Sequence, residues 1–271
     1  MKFQLIRLLS VLFPRWMVQL AYRQLTNPQL RKLRTHELAV LDQAEQERMA
    51  FGEFEIQLYH WPGGEETVFL VHGWEGQAGN FADLIPLLLD AGFTVRAFDG
   101  PSHGFSSQGS TSLFEFAELV GKLAHEYQAK YLVSHSFGGV ATTYGLSQQS
   151  SFPVKRYALL TTPDRFRDRI EMVSRQVGIT RKVQERLTTR LEQELGMSVD
   201  TLNVSDFAPQ LAVAQARIWH DEADRVIPLA QSQQVAENWP VCELEVVQGT
   251  GHFRILRTPE VLAEVVRFLK Y

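Results

Sequence analysis

The chain has a single cysteine, Cys242, among 271 residues, which excludes an internal disulfide and any zinc site built on paired cysteines. No apolar run approaches the ~20 residues of a membrane-spanning helix, so an integral membrane protein is not expected. There is no low-complexity stretch and no internal repeat, which excludes collagen-like and solenoid arrays. A positive balance is missing too. The formal net charge is −4, which argues against a nucleic-acid binder. One segment lacks acids altogether: residues 1–36 hold Lys2, Arg7, Arg15, Arg23, Arg31, Lys32 and Arg34 and neither Asp nor Glu, so that segment carries +7 and the remainder −11. With 45% hydrophobic and 21% charged residues, what is left is an ordinary globular composition, long enough for a sizeable core. Nothing requires an oxidising compartment. Arg7 and Arg15 interrupt the first apolar stretch and no small-x-small cleavage site follows, so a cytoplasmic location is expected.

The basic segment is amphipathic. Leu5, Leu9, Leu12, Trp16 and Leu20 recur at helical spacing, and Pro14 marks a kink or a new start. Asn27-Pro28 has the form of an N-cap followed by proline at the first helical position, opening a helix towards Arg48. The expectation is a basic helical arm over residues 1–50. It either packs on the globule or, through residues 1–36, makes peripheral contact with the headgroups of an anionic membrane.

Beyond the arm the period changes. Phe54, Ile56 and Leu58 alternate with polar residues. Short apolar runs at Val68–Val71, Phe93–Phe98, Tyr131–Val133, Tyr157–Leu160, Arg217–Trp219 and Leu244–Val247 have the length of buried strands. Helical stretches separate them, at roughly Asn80–Ala91, Leu113–Tyr127, Phe137–Leu146, Leu229–Trp239 and Pro259–Tyr271. This alternation predicts an α/β fold with a mainly parallel sheet and helices on both faces, built from residues 51–163 and 210–271. The connection from Pro163 to Ala216 far exceeds the dozen or so residues a crossover needs. Within it Ile170, Val173 and Val177 form one apolar stripe and Val183, Leu187, Leu191 and Leu195 another, closing at Gly178 and Gly196. A helical cap inserted at residues 164–209 is expected, as a lid or as a packed excursion.

The strongest chemical signal is Ser134-His135-Ser136-Phe137-Gly138-Gly139, set between a strand and a helix. Small neighbours let the backbone bend tightly at Ser136, pushing its hydroxyl out at the carboxyl end of the sheet. This is the nucleophile-elbow pattern G-x-S-x-G with Ser134 in place of the first glycine. A serine needs a base and the base an orienting carboxylate. His252 lies in Gly249-Thr250-Gly251-His252-Phe253, after the last strand, and is the candidate base. The candidate acid is Asp224, in the loop from His220 to Pro228, with Asp164 as a second candidate and Asp221 turning the chain out of its strand. His72, His103, His135 and His220 read as structural. Val71-His72-Gly73-Trp74 ends a strand upstream, so the amides of Trp74 and Phe137 are the candidate oxyanion donors.

These residues, in the order Ser136, Asp224, His252, resemble the α/β-hydrolase family over most of the chain, from about Phe54 to Tyr271. Asp99-Gly100-Pro101-Ser102-His103-Gly104-Phe105-Ser106 resembles that family's D-x-x-G-H-G-x-S segment, with Ser102 where a glycine is usual. The His220–Pro228 loop and Gly251-His252-Phe253-Arg254-Ile255-Leu256 are similar to those of poorly characterised bacterial members. The resemblance implies hydrolysis of an ester, amide or thioester, with no cofactor and no metal, and it leaves the substrate open. The expected activity is cleavage of a small-molecule carboxylic ester by a serine hydrolase. A thioesterase, an amidase, an acyltransferase and a non-catalytic binding protein on the same fold are the alternatives.

Overall fold

The computed structural model describes residues 2–29, 32–149 and 152–271, and the side chains of these except for residues 2–5 and 7. Its strands are β1 (Glu45–Phe51), β2 (Phe54–Trp61), β3 (Thr67–Val71), β4 (Thr94–Phe98), β5 (Tyr131–His135), β6 (Val154–Leu160), β7 (Val213–Asp221) and β8 (Cys242–Val247). They form one sheet in the order β1-β2-β4-β3-β5-β6-β7-β8. β1 with β2 and β2 with β4 pair antiparallel, and every pair from β4 to β8 is parallel. The helices are α1 (Lys2–Leu12), α2 (Pro14–Thr26), α3 (Thr35–Leu41), α4 (Ile85–Asp90), α5 (Leu113–Glu126), α6 (Phe137–Ser147), α7 (Phe166–Val177), α8 (Arg181–Leu195), α9 (Val204–Phe207), α10 (Leu229–Asn238), α11 (Gly251–Arg254) and α12 (Pro259–Lys270).

The central strands are largely apolar because both of their faces are covered. Val68 and Leu70 of β3 join Leu88 of α4 and Leu262 and Val265 of α12 in one buried cluster. Phe69 points the other way, by the period of two, and meets Phe98 and Tyr127 at ring distances of 5.5 Å. The helix predicted from Leu113 starts there because Ser112 caps it: its hydroxyl accepts from the Glu115 amide, and its own amide donates to the Glu115 carboxylate. The chain passes from β3 to β4 on one side and on to β5 on the other. The sheet order therefore reverses at β3, where sites in open parallel sheets form beyond the carboxyl ends of the strands.

Two sequence expectations need correction near the amino terminus. Asn27 does not open a helix towards Arg48; it closes α2. The stretch instead holds the short α3 and then the edge strand β1. Glu45–Phe51 is mostly polar and mostly exposed, so no period of two marks it. It is a strand because β2 supplies backbone partners from Glu45–His60 to Phe51–Phe54, and such pairing overrides local propensity. The expected helix at Asn80–Ala91 is likewise divided, into a 3₁₀ turn at Ala78–Phe81 and α4, with Pro86 in the first turn of the latter.

The chain divides into two compact units, one of residues up to Pro28 with Arg165–Asn203, the other of Gln29–Asp164 with Val204–Tyr271. The arm expected over 1–50 is therefore cut at Pro28, and its first part shares a unit with the insertion, whose own limits are narrower than 164–209. In that unit Met17, Val18, Ala21 and Leu25 of α2 bury themselves with Ile170 and Val173 of α7 and Val183, Leu187 and Leu191 of α8. Arg190 lies over the ring of Tyr22, 3.6 Å from its centroid. The two insertion helices end at Gly178 and Gly196 as expected. Of the stripe drawn from Leu5 to Leu20, Leu9 and Leu20 pack against this cluster, half-buried, and the rest of its described side chains do not share that face. Leu12 and Trp16 are exposed, and the side chain of Leu5 lies outside those described. Phe13, at φ −130° and ψ 58°, breaks the helical phase before Pro14, so a single helical wheel does not apply across the junction.

Candidate active site

Ser136 stands between β5 and α6 at φ 54° and ψ −123°, a conformation that non-glycine residues rarely hold. Its amide donates to the carbonyls of Leu160 and Thr161, at 3.2 and 2.7 Å. Thr161 is itself at φ 53°, unusual for a β-branched residue. Each such residue costs about 1–3 kcal/mol and persists only where the surroundings fix it. What fixes this turn is close backbone packing. A Cβ on Gly138 would fall 2.4 Å from the Val71 carbonyl oxygen and 2.7 Å from that of His72. Gly138→Ala is expected to lower the unfolding free energy by about 1–3 kcal/mol, read as a reduced urea midpoint. An unchanged midpoint would show that the turn has slack. Ser134, which replaces the glycine of the motif, is accommodated by a buried hydrogen bond between its hydroxyl and that of Tyr157, 2.7 Å.

His252 is buried on α11, and its Nδ1–H donates to Asp224 Oδ2 at 2.9 Å. The tautomer follows from the partner, since a carboxylate only accepts, and it leaves Nε2 as the basic nitrogen. The Asp224 side chain is fully buried, and its other oxygen accepts from the amides of Val226 and Ile227 at 2.7 and 3.0 Å. Burial alone would raise its pKa. The hydrogen bond and charge of His252, with those two amides, outweigh it and hold the carboxyl below the ordinary carboxylate value. Asp164, the other candidate acid, is occupied elsewhere: its Oδ1 accepts from the Ser205 amide at the start of α9.

Two residues absent from the candidate set hold His252 in place. Asp221 does more than turn the chain: its Oδ2 accepts from the amides of Thr250 and Gly251, at 2.5 and 2.9 Å, and from the Thr250 hydroxyl, clamping the strand end to the histidine loop. His135 donates from Nε2 to the His252 carbonyl at 2.9 Å, which ties the residue before Ser136 to the histidine's own backbone. Burial, with His252 beside it, pushes the His135 pKa down to about 3, so the ring is neutral. Neither role had a local signal, because each depends on a contact between distant parts of the chain.

Facing the serine turn, Gly73 lies so close that a Cβ there would be 3.2 Å from the Ser136 Cβ. The loop is held by His72, whose Nδ1 donates to the Gly73 carbonyl while its Nε2 accepts from the Gly100 amide at 2.9 Å. Burial lowers the pKa of His72 to about 4. The rings of Trp74 and Phe137 meet edge to face at 5.4 Å, which brings the two loops together. The Phe137 amide, first in α6, belongs to the turn whose N–H groups have no partner within the helix. Asp99 organises the neighbouring loop by accepting from the amides of Ala78 and Phe105, each at 2.8 Å, and from the Tyr59 hydroxyl. Ser102 occupies its glycine-like position at φ 66° with its hydroxyl on the Gly109 carbonyl. Among the described residues no group of three or more His, Cys, Asp or Glu side chains is arranged to hold a metal ion.

Comparison with known proteins agrees with this architecture. The model of the alpha/beta hydrolase family matches residues 68–265. The chain is 40% identical over 81 residues to the dihydrolipoyllysine-residue acetyltransferase component of an acetoin cleaving system from Cupriavidus necator, covering 28% of this chain and 21% of that protein. It is 31% identical over 105 residues to the pimeloyl-acyl-carrier-protein methyl ester esterase of Stenotrophomonas maltophilia, covering 38% and 39%. In both cases the match spans less than two fifths of the relative's own length. An esterase from Exiguobacterium antarcticum superposes with a TM-score of 0.65 at 17% identity, over 84% of this chain and all of that one. That likeness is one of fold alone. Matched across the sheet and the flanking helices from Val68 in β3 to Val265 in α12, the chain belongs to the alpha/beta hydrolase family.

Proposed function

We propose that this hydrolase cleaves a carboxylic ester of a small molecule through an acyl-enzyme on Ser136. His252 Nε2 takes the proton from Ser136 Oγ as the oxygen attacks the ester carbonyl. The amides of Trp74 and Phe137 receive the charge that develops on the carbonyl oxygen. Collapse of the tetrahedral intermediate breaks the bond to the alcohol, which leaves with the proton from His252. Water then repeats the sequence against the acyl-enzyme and releases the acid. Asp224 keeps the proton on Nδ1 and stabilises the imidazolium that forms at each step.

The observation that carries this reading is the strained turn at Ser136, joined through His135 to the backbone of a histidine already paired with a buried carboxylate. A strained serine, next in the chain to a residue that bonds the backbone of an oriented imidazole, has no structural task that an unstrained turn would not serve as well. The test is labelling by a fluorophosphonate probe, with a panel of p-nitrophenyl esters from acetate to palmitate. The wild-type chain should be labelled and turn over at least one chain length, and Ser136→Ala should do neither. Matched thioesters and anilides in the same panel distinguish an esterase from a thioesterase or an amidase. An unlabelled, inactive wild-type chain would assign the fold to binding without catalysis.

A further inference from the structure

The first two helices bury one side and leave another bare. Leu8 is 54% exposed, Val11 70%, Leu12 59%, Phe13 57% and Trp16 58%, while Met17 and Ala21 are fully buried. Leu8, Val11 and Leu12 stand at i, i+3 and i+4 and share a face of α1. Phe13 is the junction, and Trp16 lies in the first turn of α2. Exposed apolar residues scattered singly are normal on a protein surface; five large ones within nine residues are not. Charge says what covers them. Arg15 lies between Phe13 and Trp16 in sequence, Arg23 follows on α2, and both are exposed, in a segment of +7 that contains no acid.

We infer that the α1–α2 junction docks on the surface of an anionic lipid bilayer. Leu8, Val11, Leu12 and Phe13 enter the boundary between headgroups and acyl chains, Trp16 sits at headgroup depth, and the arginines meet lipid phosphates. The junction lies on the surface and does not span it: among the described residues no helix is long and apolar enough to cross a membrane. A second copy of the chain fits the same face poorly, because it would bring another unbalanced +7 segment against the first. The inference does not depend on the proposed ester chemistry, and a chain inactive on every ester could still bind lipid.

Co-sedimentation of the full chain with vesicles of phosphatidylglycerol and phosphatidylcholine, against vesicles of phosphatidylcholine alone, tests it. Binding is expected to the anionic vesicles at low salt and to be lost at about 0.5 M salt. The combined change Leu12→Ser, Phe13→Ser and Trp16→Ser should weaken it at least about tenfold. Arg15→Gln should weaken it about fivefold, the weight of one cation near such a surface. Trp61, Trp219 and Trp239 are buried and Trp74 half-buried, so quenching of wild-type fluorescence by brominated phosphatidylglycerol reports mainly on Trp16, even if the triple variant fails to fold. No binding of the wild type to anionic vesicles at low salt overturns the proposal, as does unchanged binding by a folded triple variant. A dimer in solution that the triple variant abolishes, without vesicle binding, would assign the face to a second copy instead.

Discussion

Replacing Asp224 by asparagine is expected to lower ester turnover by about 10⁴-fold while the protein stays folded. The asparagine carbonyl can still accept from the amides of Val226 and Ile227, so the loop keeps its anchors. The amide nitrogen then faces His252 Nδ1 as a donor, which selects the tautomer with its proton on Nε2. That imidazole cannot take a proton from Ser136. Ser136→Ala should cost more, on the order of 10⁶-fold, and adding His252→Ala to it should cost little further, because in the proposed mechanism the groups act as a unit. Asp164→Asn is the contrast. Its carboxylate accepts from the Ser205 amide, which an asparagine carbonyl also does, so steady-state kinetics should change less than about threefold. Asp224→Asn with turnover within about tenfold of wild type, or a larger loss in Asp164→Asn, would remove Asp224 from the proposed mechanism.

Acid is expected to unfold the chain well above the carboxylate range. His72 and His135 are buried and neutral, with pKa values pushed down to about 4 and about 3, whereas in the unfolded chain both titrate near 6.5. Below that value the unfolded state binds protons that the folded state cannot, so the stability these residues supply is complete above pH 6.5 and drains as pH falls. Each histidine contributes a slope of about 1.4 kcal/mol per pH unit across its window. The pair removes about 3 kcal/mol between pH 6.5 and 5, a large share of the roughly 5–15 kcal/mol that holds a typical domain together. Burial lowers His220 in the same direction. Asp221 and Asp224, held below their ordinary values, add a further loss only once the pH approaches about 4, where the unfolded carboxylates begin to protonate. Urea denaturation at pH 7, 6 and 5 measures the slope. His135→Gln should flatten it by about 1.4 kcal/mol per unit, with a lower stability at pH 7 because the contact to the His252 carbonyl is disturbed. A stability level from pH 7 to 5 would mean that neither ring is held neutral by the fold.

What could be read from the chain alone was what short-range chemistry dictates. The six apolar runs became β3 to β8, the inner ones because a strand covered on both faces is largely apolar; at the edge, β8 leaves Glu243, Glu245 and Val246 exposed. Ser136 was legible because a tight turn between strand and helix needs small neighbours, and the clearance at Gly138 is less than a methyl group requires. Gly178 and Gly196 marked helix ends for the same local reason, the left-handed conformation of the residue that follows a helix. Tertiary structure alone decided the rest. β1 exists because β2 offers it hydrogen-bond partners, and its own residues carry no pattern that says so. The buried face of the first helices was set by a break in helical phase at Phe13 and by the two insertion helices, which follow more than a hundred residues later and supply the apolar surface. That His135 and Asp221 fix the backbone around His252 depends on where strand ends come together in the sheet. Spacing along a chain specifies local dihedral angles and which face of an element is apolar; partners brought together by pairing and packing are specified only by the fold.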